Sequence, residues 1–514
     1  MALTSSTAFG GGGLLANGTA ELNGNSLSVA NLTGTGNVQN GSGTLTIATV
    51  NSFNGGTTIN AGNVVVNSVN GLGTGPLLIS GGSLALNAAG AVSSTTINAG
   101  SVLVNSASGL GTGALTLGGG TLALNAVNPI SSATVSGGVL QLGANSVGAA
   151  GSLTSGPVGT TTLTVSGAVL SSVGTAAYTL NNAINFTGDS TLGDPINNGS
   201  LSLGGAITLT GSRTLTVNSP VTMGGAIGQD AAGRSLTKAG SGNLTLNAAE
   251  TYTGPTIING GTLTVNAVPS SGTVSIASGA TLQMNCNYVP TVTGSGTWNV
   301  APGSSGYTYT VGAVSAFSGT TNIASGVRYW PNAQANVPGG TIVVANGGQF
   351  CPGYYGTITA NMQIAGSSWV GGDIQAALRL NPGSGAVGGN LAGTLTLNAN
   401  AGVAAFYSGG AGTISANIGG PYQLNIVTGA ITFSGTNALT TFTGLLFNGG
   451  AALLGLNKTG AGMFTLTNPN SYRSNEATAL PSITPVPEPG TLVLVVAGVA
   501  AGLATWRRRR NRSN

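Results

Sequence analysis

The chain has 514 residues, of which 4% are charged, 90 are glycine and none is histidine. The absence of histidine excludes a Ser-His-Asp triad, histidine metal ligands and histidine acid–base catalysis. Residues 1–486, which we call the body, contain seven basic and seven acidic residues, so the body is neutral. So few basic residues cannot neutralise the phosphates of a nucleic acid, which excludes nucleic-acid binding.

Internal repetition dominates the N-terminal half. The segment TTINAGNVVVNS at 57–68 recurs as TTINAGSVLVNS at 95–106, an offset of 38 residues. Each unit divides into two similar halves, so one coil takes about 19 residues. Apolar residues alternate with polar ones within a half, as at Val64 and Val66, and this alternation predicts short strands. Because 41% of the residues are hydrophobic, the strands must bury a core.

The repeat predicts an all-β protein, a parallel β-solenoid (β-helix) in which each coil covers the apolar face of the preceding one. Glycine pairs such as Gly81-Gly82 separate the strands. We divide the chain into regular solenoid repeats at 1–283, a less regular continuation at 284–470, a linker at 471–486 and a C-terminal signal at 487–514.

Asparagine recurs at equivalent positions of the repeat, pairing Asn60 with Asn98, Asn67 with Asn105, and Asn87 with Asn125. Stacked asparagines can form a ladder of amide hydrogen bonds between coils. Asparagine also tolerates a left-handed corner, and we favour this simpler interpretation.

The segment SLTKAGSGNLTLNAAETYTGPTIINGGTLTVNA at Ser235–Ala267 resembles the autotransporter-associated β-strand repeat. The matching residues are Lys238, Gly240, Gly242, Leu244, Leu246, Tyr252, Gly254, Thr256, Ile258 and Gly261. Degenerate copies lie at Gly41–Asn67, Phe317–Gly326 and Leu456–Tyr472. The resemblance implies an exported β-solenoid, and the recurrence of lysine at Lys238 and Lys458 favours a structural role for this side chain.

The C-terminus combines a short motif, an apolar segment and an arginine cluster, in that order. The motif residues are Val486, Pro487, Glu488, Pro489 and Gly490. This arrangement resembles the PEP-CTERM protein-sorting signal of bacteria that also make exopolysaccharide. The resemblance implies that an exosortase-type enzyme recognises the motif and removes or processes the anchor.

The apolar segment Thr491–Trp506 predicts a single C-terminal transmembrane helix. As a helix, its 16 residues extend about 24 Å, slightly less than a bilayer core of roughly 30 Å, and flanking side chains can make up the difference. Basic residues beside a membrane span stay cytoplasmic, so the solenoid is expected on the far side. The stop and orientation residues are Trp506, Arg507, Arg508, Arg509, Arg510 and Arg512.

An exported protein needs an export signal, yet residues 1–18 have neither a basic region nor an apolar run. A start further upstream, a truncated sequence or another export signal would each explain this, and we favour the first.

Few residues suggest chemistry. Asp189 and Asp194 are the best candidate carboxylate pair for acid–base work, although solvated turn positions explain them better. Aromatic residues at 307–309, 329–330 and 354–355 offer faces for stacking on sugars, but core packing is the favoured role. Cys286 and Cys351 fit either one disulfide or two buried apolar side chains. No cofactor or metal site is predicted.

These observations predict an exported, non-enzymatic structural protein or adhesin of the cell envelope, cell surface or extracellular matrix, made as a single-pass membrane precursor. The expected partners are the membrane, an exosortase-type enzyme and exopolysaccharide, with no nucleic acid. The alternative is a β-helix carbohydrate-active enzyme that uses carboxylates.

Overall fold

The computed structural model describes residues 44–426, apart from short gaps, and beyond them only the backbone of isolated strands. The gaps are 53, 268–271, 287, 302–306, 311–312, 332, 353–355, 367–375, 381–386, 405–410, 420–421 and 423. Two compact units divide the chain, the first at residues 1–322 with 335–340, the second at 323–334 with 341–514.

The first unit is built from three parallel sheets. Sheet 1 contains Ala20–Glu21, Val38–Asn40, Thr57–Ile59, Leu77–Ile79, Ser94–Ile97, Ala114–Leu117, Ala133–Val135, Leu163–Val165, Ile184–Phe186, Ile207–Leu209 and Ile227–Gln229. Sheet 2 contains Leu27–Val29, Thr44–Ile47, Asn63–Val66, Ser83–Leu86, Ser101–Val104, Thr121–Leu124, Val139–Leu142, Val169–Ser172, Ser190–Leu192, Arg213–Val217, Leu236–Ala239, Thr256–Ile258, Thr273–Ile276 and Thr291–Gly294. Sheet 3 contains Tyr178–Leu180, Leu201–Leu203, Val221–Met223, Asn243–Leu246, Thr262–Val265, Thr281–Met284, Tyr288–Val289, Thr297–Val300 and Tyr307–Thr310, and Thr320–Ile323 spans the unit boundary in sequence. A further pair joins Gly13–Leu15 to Asn31–Thr33.

The second unit continues the same type of parallel pairing. One set of strands is Arg328–Trp330, Thr341–Val344, Gln349–Phe350, Asn361–Gly366, Leu378–Arg379, Thr394–Ala404, Asn417–Gly419, Leu424–Ile426 and Leu446–Asn448. Another set is Thr357–Ile358, Val387–Leu391, Ala411–Ile414, Ala430–Ser434 and Leu456–Thr459, with Thr440–Phe442 paired to Phe464–Leu466. A single 3-10 turn at Gln334–Asn336 is the only helical element among the residues that the structure describes.

The predicted alternation places apolar residues in columns inside the first unit. Leu84 pairs with Val64 in one neighbouring coil and with Val102 in the other, and each is at most 1% exposed. Successive coils in this region advance by 20 and then 18 residues, from Val64 to Leu84 and from Leu84 to Val102. The 38-residue repeat is therefore two unequal coils, and the prediction of an all-β parallel solenoid is confirmed.

Glycine is required at one corner of the coil, between the strands of sheet 1 and sheet 2. Gly82, Gly100 and Gly120 all have positive φ, at 68°, 84° and 70°. A Cβ atom on Gly120 would lie 2.4 Å from the carbonyl oxygen of Gly100. This corner therefore needs both the left-handed backbone and the absence of a side chain.

Asn67, Asn87, Asn105 and Asn125 form a ladder, and the left-handed-corner interpretation is wrong for all the repeated asparagines. The side chain of Asn87 donates to Asn67 at 2.9 Å, Asn105 donates to Asn87 at 2.9 Å, and Asn125 donates to Asn105 at 2.8 Å. None of these residues has a positive φ, and neither do Asn60 and Asn98. The preceding glycine-rich corner takes the left-handed conformation instead, which leaves asparagine free to serve as a hydrogen-bonding column.

The coil changes its cross-section along the first unit. Sheet 3 begins at Tyr178–Leu180, and sheet 1 ends at Ile227–Gln229. The end of sheet 1 leaves a strand edge whose backbone groups need other hydrogen-bond partners. Glu250 and Thr251, in the repeat at 236–265, are the partners of the backbone of Ile227.

Candidate functional site

Lys238 points into the solenoid. It lies on the strand Leu236–Ala239 between Leu215 and Ile258 of the adjacent strands, and its side chain is fully buried. Its ammonium group donates to the carbonyl oxygens of Ala239, Gly240 and Gly260 at 3.3, 3.0 and 2.8 Å. Burial lowers the pKa of Lys238 to about 8.

The three carbonyl groups bound by Lys238 belong to the corners of two successive coils. Gly240 lies two residues after Lys238, at the corner of the same coil, whereas Gly260 lies 22 residues after Lys238, at the corner of the next coil. One ammonium group thus joins two neighbouring corners, while the aliphatic stem fills an otherwise apolar column. This geometry supports the structural interpretation of the repeat lysine over a catalytic one.

Tyr252 is the aromatic residue of the same repeat. It is 1% exposed, and its hydroxyl group lies 2.5 Å from the hydroxyl of Thr256. A buried tyrosine requires such a partner for its polar tip. The aromatic and threonine positions of the motif therefore form one internal contact rather than an exposed sugar-stacking face.

Glu250 covers the end of sheet 1. The carboxylate accepts a hydrogen bond from the backbone N–H of Ile227, and the carbonyl of Ile227 accepts one from the N–H of Thr251 at 2.9 Å. Glu250 is 3% exposed, and its second oxygen, Oε1, has no hydrogen-bond partner among the described residues. Burial raises the pKa of Glu250 to about 7, despite the opposing hydrogen bond from Ile227.

The chain matches a family model described as the passenger-associated-transport-repeat at residues 38–66, 236–265 and 456–474. A second model, the PEP-CTERM protein-sorting motif, matches residues 485–510. The chain carries a PEP-CTERM sorting signal. This signal marks an exported protein that an exosortase-type enzyme processes, and the repeats and solenoid fit a non-enzymatic surface protein. No curated protein and no solved structure matches the chain.

The passenger repeats differ at the position of Glu250. Counting back from the shared glycines Gly62 and Gly261, Asn51 occupies this position in the first copy. The Asn51 side chain is 3% exposed and donates to the carbonyl of Gly71 at 2.5 Å. An amide thus reaches forward to the next coil in one copy, whereas a carboxylate reaches back to the preceding coil in the other.

Glu250 was missed by the sequence analysis. The signal that could have identified it is a comparison of the repeat copies. Glu250 stands two residues before the aromatic Tyr252, where the first copy has Asn51 before Phe53. Because glutamate is common at exposed turns, only the pairing of the sheets shows that this side chain is buried against an edge strand.

Both candidate catalytic carboxylates accept hydrogen bonds from backbone N–H groups. Asp189 accepts a hydrogen bond from the N–H of Thr214 at 2.8 Å. Asp194 accepts hydrogen bonds from Ile196 and Asn197 at 2.8 and 2.6 Å. Partial burial opposes ionisation of Asp194, but these backbone hydrogen bonds outweigh it and hold the pKa below its ordinary value. An acid with a lowered pKa is a poor proton donor at neutral pH, so the geometry favours turn stabilisation as the role of Asp194. The hydrogen bond to the N–H of Thr214 gives Asp189 a structural role of the same kind.

The aromatic region is partly described. Tyr329 is fully buried, and its ring stacks on Phe350 with a centroid separation of 5.9 Å, which confirms core packing for this residue. The aromatic residues at 307–309 and 354–355 have side chains outside the described residues. Cys286 and Cys351 are both buried, and a disulfide between them stays a prediction.

The linker at 471–486 and the PEP-CTERM signal lie outside the described residues, including Val486–Gly490, Trp506 and Arg507–Arg512. Within the described residues, we find no helix with the length and hydropathy to cross a membrane. The same residues contain no cluster of three or more potential metal ligands.

Proposed function

We propose that the chain is a structural protein or adhesin of the bacterial surface or extracellular matrix that associates with exopolysaccharide. The observation that carries the proposal is the combination of a sorting signal with a solenoid body that has almost no charge. No charged residue lies between Glu21 and Asp189. The outward side chains of this stretch are uncharged, mostly hydroxyl, amide and apolar groups, which suit many weak contacts with an uncharged polymer.

The apolar segment Thr491–Trp506 is proposed to hold the precursor in the membrane until it is processed. The arginines at 507–510 and 512 keep the C-terminus in the cytoplasm, because basic residues adjoining a span are not translocated. The solenoid then faces the outside. The body has no cluster of lysine or arginine that would hold it in the cytoplasm instead.

Processing can be tested with the full-length chain in a bacterium that contains an exosortase and in a strain that lacks it. A blot of surface and membrane fractions should show a shorter surface form only in the first strain. Glu488→Gln should retain the precursor in the membrane. Pro481→Ala is the matched control, since Pro481 lies outside the matched motif at 485–510, and it should be processed like the wild type. Equal processing with and without the enzyme would overturn this part of the proposal.

Association can be tested by incubating the full-length chain with exopolysaccharide purified from the producing bacterium. Sedimentation of the protein with the polymer, without new reducing ends, is the expected result. Shortening of the polymer would instead support a carbohydrate-active enzyme. A protein that stays in the supernatant at all polymer concentrations would contradict the association.

A further inference from the structure

One outer face of the first unit has three parallel rows of side chains with different chemistry. We call it the amide face, and it spans the strands Asn63–Val66, Ser83–Leu86, Ser101–Val104 and Thr121–Leu124 with the asparagine after each. The hydroxyl row is Ser83, Ser101 and Thr121, and the amide of Asn63 takes the equivalent place in the first strand. The apolar row is Val65, Ala85 and Leu103, and it ends at Ala123, which is buried. The amide row is Asn67, Asn87, Asn105 and Asn125.

The amide row is held in one orientation by its own hydrogen bonds. Asn87 and Asn105 each donate one N–H to the preceding coil and accept one from the following coil. A carboxamide has two donors and two acceptor lone pairs, so each of these two residues keeps one of each for an external group. Because the side chains are already fixed, an external ligand does not have to order them.

The other two rows complete an amphipathic strip. In the hydroxyl row, Ser83 donates to the side chain of Asn63 at 2.8 Å. In the apolar row, Leu103 is 37% exposed. By contrast, the inward leucines of the two adjacent strands, Leu84 and Leu122, are buried. An outward leucine surrounded by polar rows places an apolar surface where a ligand can reach it.

The absence of charge restricts the partner. Residues 22–188 contain no aspartate, glutamate, lysine or arginine, so the face has no ionic attraction for nucleic acid, anionic lipid or an acidic polymer. Four strands and five residues along each strand give an area of roughly 300 Å². A stable protein partner needs about 800 Å² on each side, so the strip is too small for a second copy of this chain.

We propose that the amide face binds a neutral polysaccharide chain. The apolar faces of the sugar rings lie on the row that contains Leu103, and the ring hydroxyls on the two edges exchange hydrogen bonds with the amide and hydroxyl rows. A sugar ring has this same division between apolar faces and hydroxyl edges. The inference rests on the proposed association with exopolysaccharide and assigns it to one surface.

The test measures co-sedimentation of the full-length chain with microcrystalline cellulose, curdlan and cross-linked dextran, and with alginate gel as an anionic comparison. The wild type should bind at least one neutral polymer, with little effect of salt, and should bind alginate more weakly. Leu103→Lys should weaken neutral binding at least tenfold. Thr116→Lys is the matched control, because this substitution introduces the same charge at an exposed position on sheet 1. The Thr116→Lys variant should bind like the wild type.

A second variant guards against a folding defect in Leu103→Lys. Asn105→Ala removes the centre of the amide row and leaves the apolar core unchanged, and it should weaken binding severalfold with an unchanged circular dichroism spectrum. Binding of all variants like the wild type would overturn the assignment to this face, whereas sedimentation with the producer's exopolysaccharide would still support the proposed function. No binding of the wild type to any neutral polymer would overturn the inference. Self-association of the wild type that Leu103→Lys abolishes would identify a second copy as the occupant and also overturn it.

Discussion

The buried carboxylate of Glu250 accepts a hydrogen bond from the backbone N–H of Ile227 at the last strand of sheet 1. This contact ends one sheet of the solenoid while the other two continue. An edge strand without such a cover would offer its backbone to another chain. The repeat at 236–265 thus both continues the coil and closes an edge, through a residue that differs between its copies.

Glu250 should make stability fall as pH rises. Its pKa in the folded protein is raised to about 7 from 4.5, so the folded state holds the proton more tightly than the unfolded state. Stability is therefore fully retained below pH 4.5, decreases up to about pH 7 and then stays level, with a total change of at most about 3 kcal/mol. Urea denaturation at pH 5 and pH 8 measures the difference.

Glu250→Gln removes this titration and should be equally stable at both pH values. The chain has no histidine, and Lys238, whose pKa is about 8, begins to titrate only at the upper end of this range. Because the pKa of Lys238 is lowered by folding, its titration raises stability with pH and so opposes the decrease expected from Glu250. A decrease of the same size in Glu250→Gln would assign the pH dependence to another group.

Lys238→Met should destabilise the repeat by about 1–3 kcal/mol, because three backbone carbonyls lose their shared donor. Hydrogen–deuterium exchange of peptides from residues 236–265 should show the loss of protection locally. Thr237→Met, on the outward side of the same strand, is the control and should change exchange little. Unchanged protection in Lys238→Met would mean that the desolvation of the ammonium group cancels its three hydrogen bonds.

The contribution of each ladder asparagine to the free energy of unfolding should depend on its position in the ladder. Asn105→Ala removes two amide hydrogen bonds and Asn125→Ala removes one. We expect losses of roughly 1 and 0.5 kcal/mol, since the amides are exposed and water replaces part of each bond. Urea denaturation of both variants tests this ratio. Equal losses would show that the ladder bonds add nothing beyond side-chain packing.

Leu122→Ala should destabilise the first unit by about 2–5 kcal/mol, because Leu122 is fully buried between Val102 and Leu140 and its removal leaves a cavity. Thr121→Ala, one residue earlier and outward, should change stability by less than about 0.5 kcal/mol. The denaturation midpoints of the two variants give the comparison. A small effect of Leu122→Ala would contradict the inward orientation of this column.

Part of the site could be read from the sequence and part could not. The structural role of Lys238 followed from its place in a repeated motif, and the C-terminal signal followed from the order of its three parts. Glu250 and the asparagine ladder did not follow, because each depends on which residues of neighbouring coils lie opposite one another. Local spacing shows that a residue recurs, but not whether its side chain meets its counterpart or a backbone edge.

The sequence by itself determined the strands, their inward faces and the two-coil repeat, because a period of two and a fixed offset are local properties of the chain. It also determined the sorting signal, since that signal is a linear motif. Only the tertiary structure decided where sheet 1 stops, which polar groups are buried and that Asn67, Asn87, Asn105 and Asn125 form one column. These features depend on the register between coils 18 to 20 residues apart, and that register is fixed by packing across the whole core.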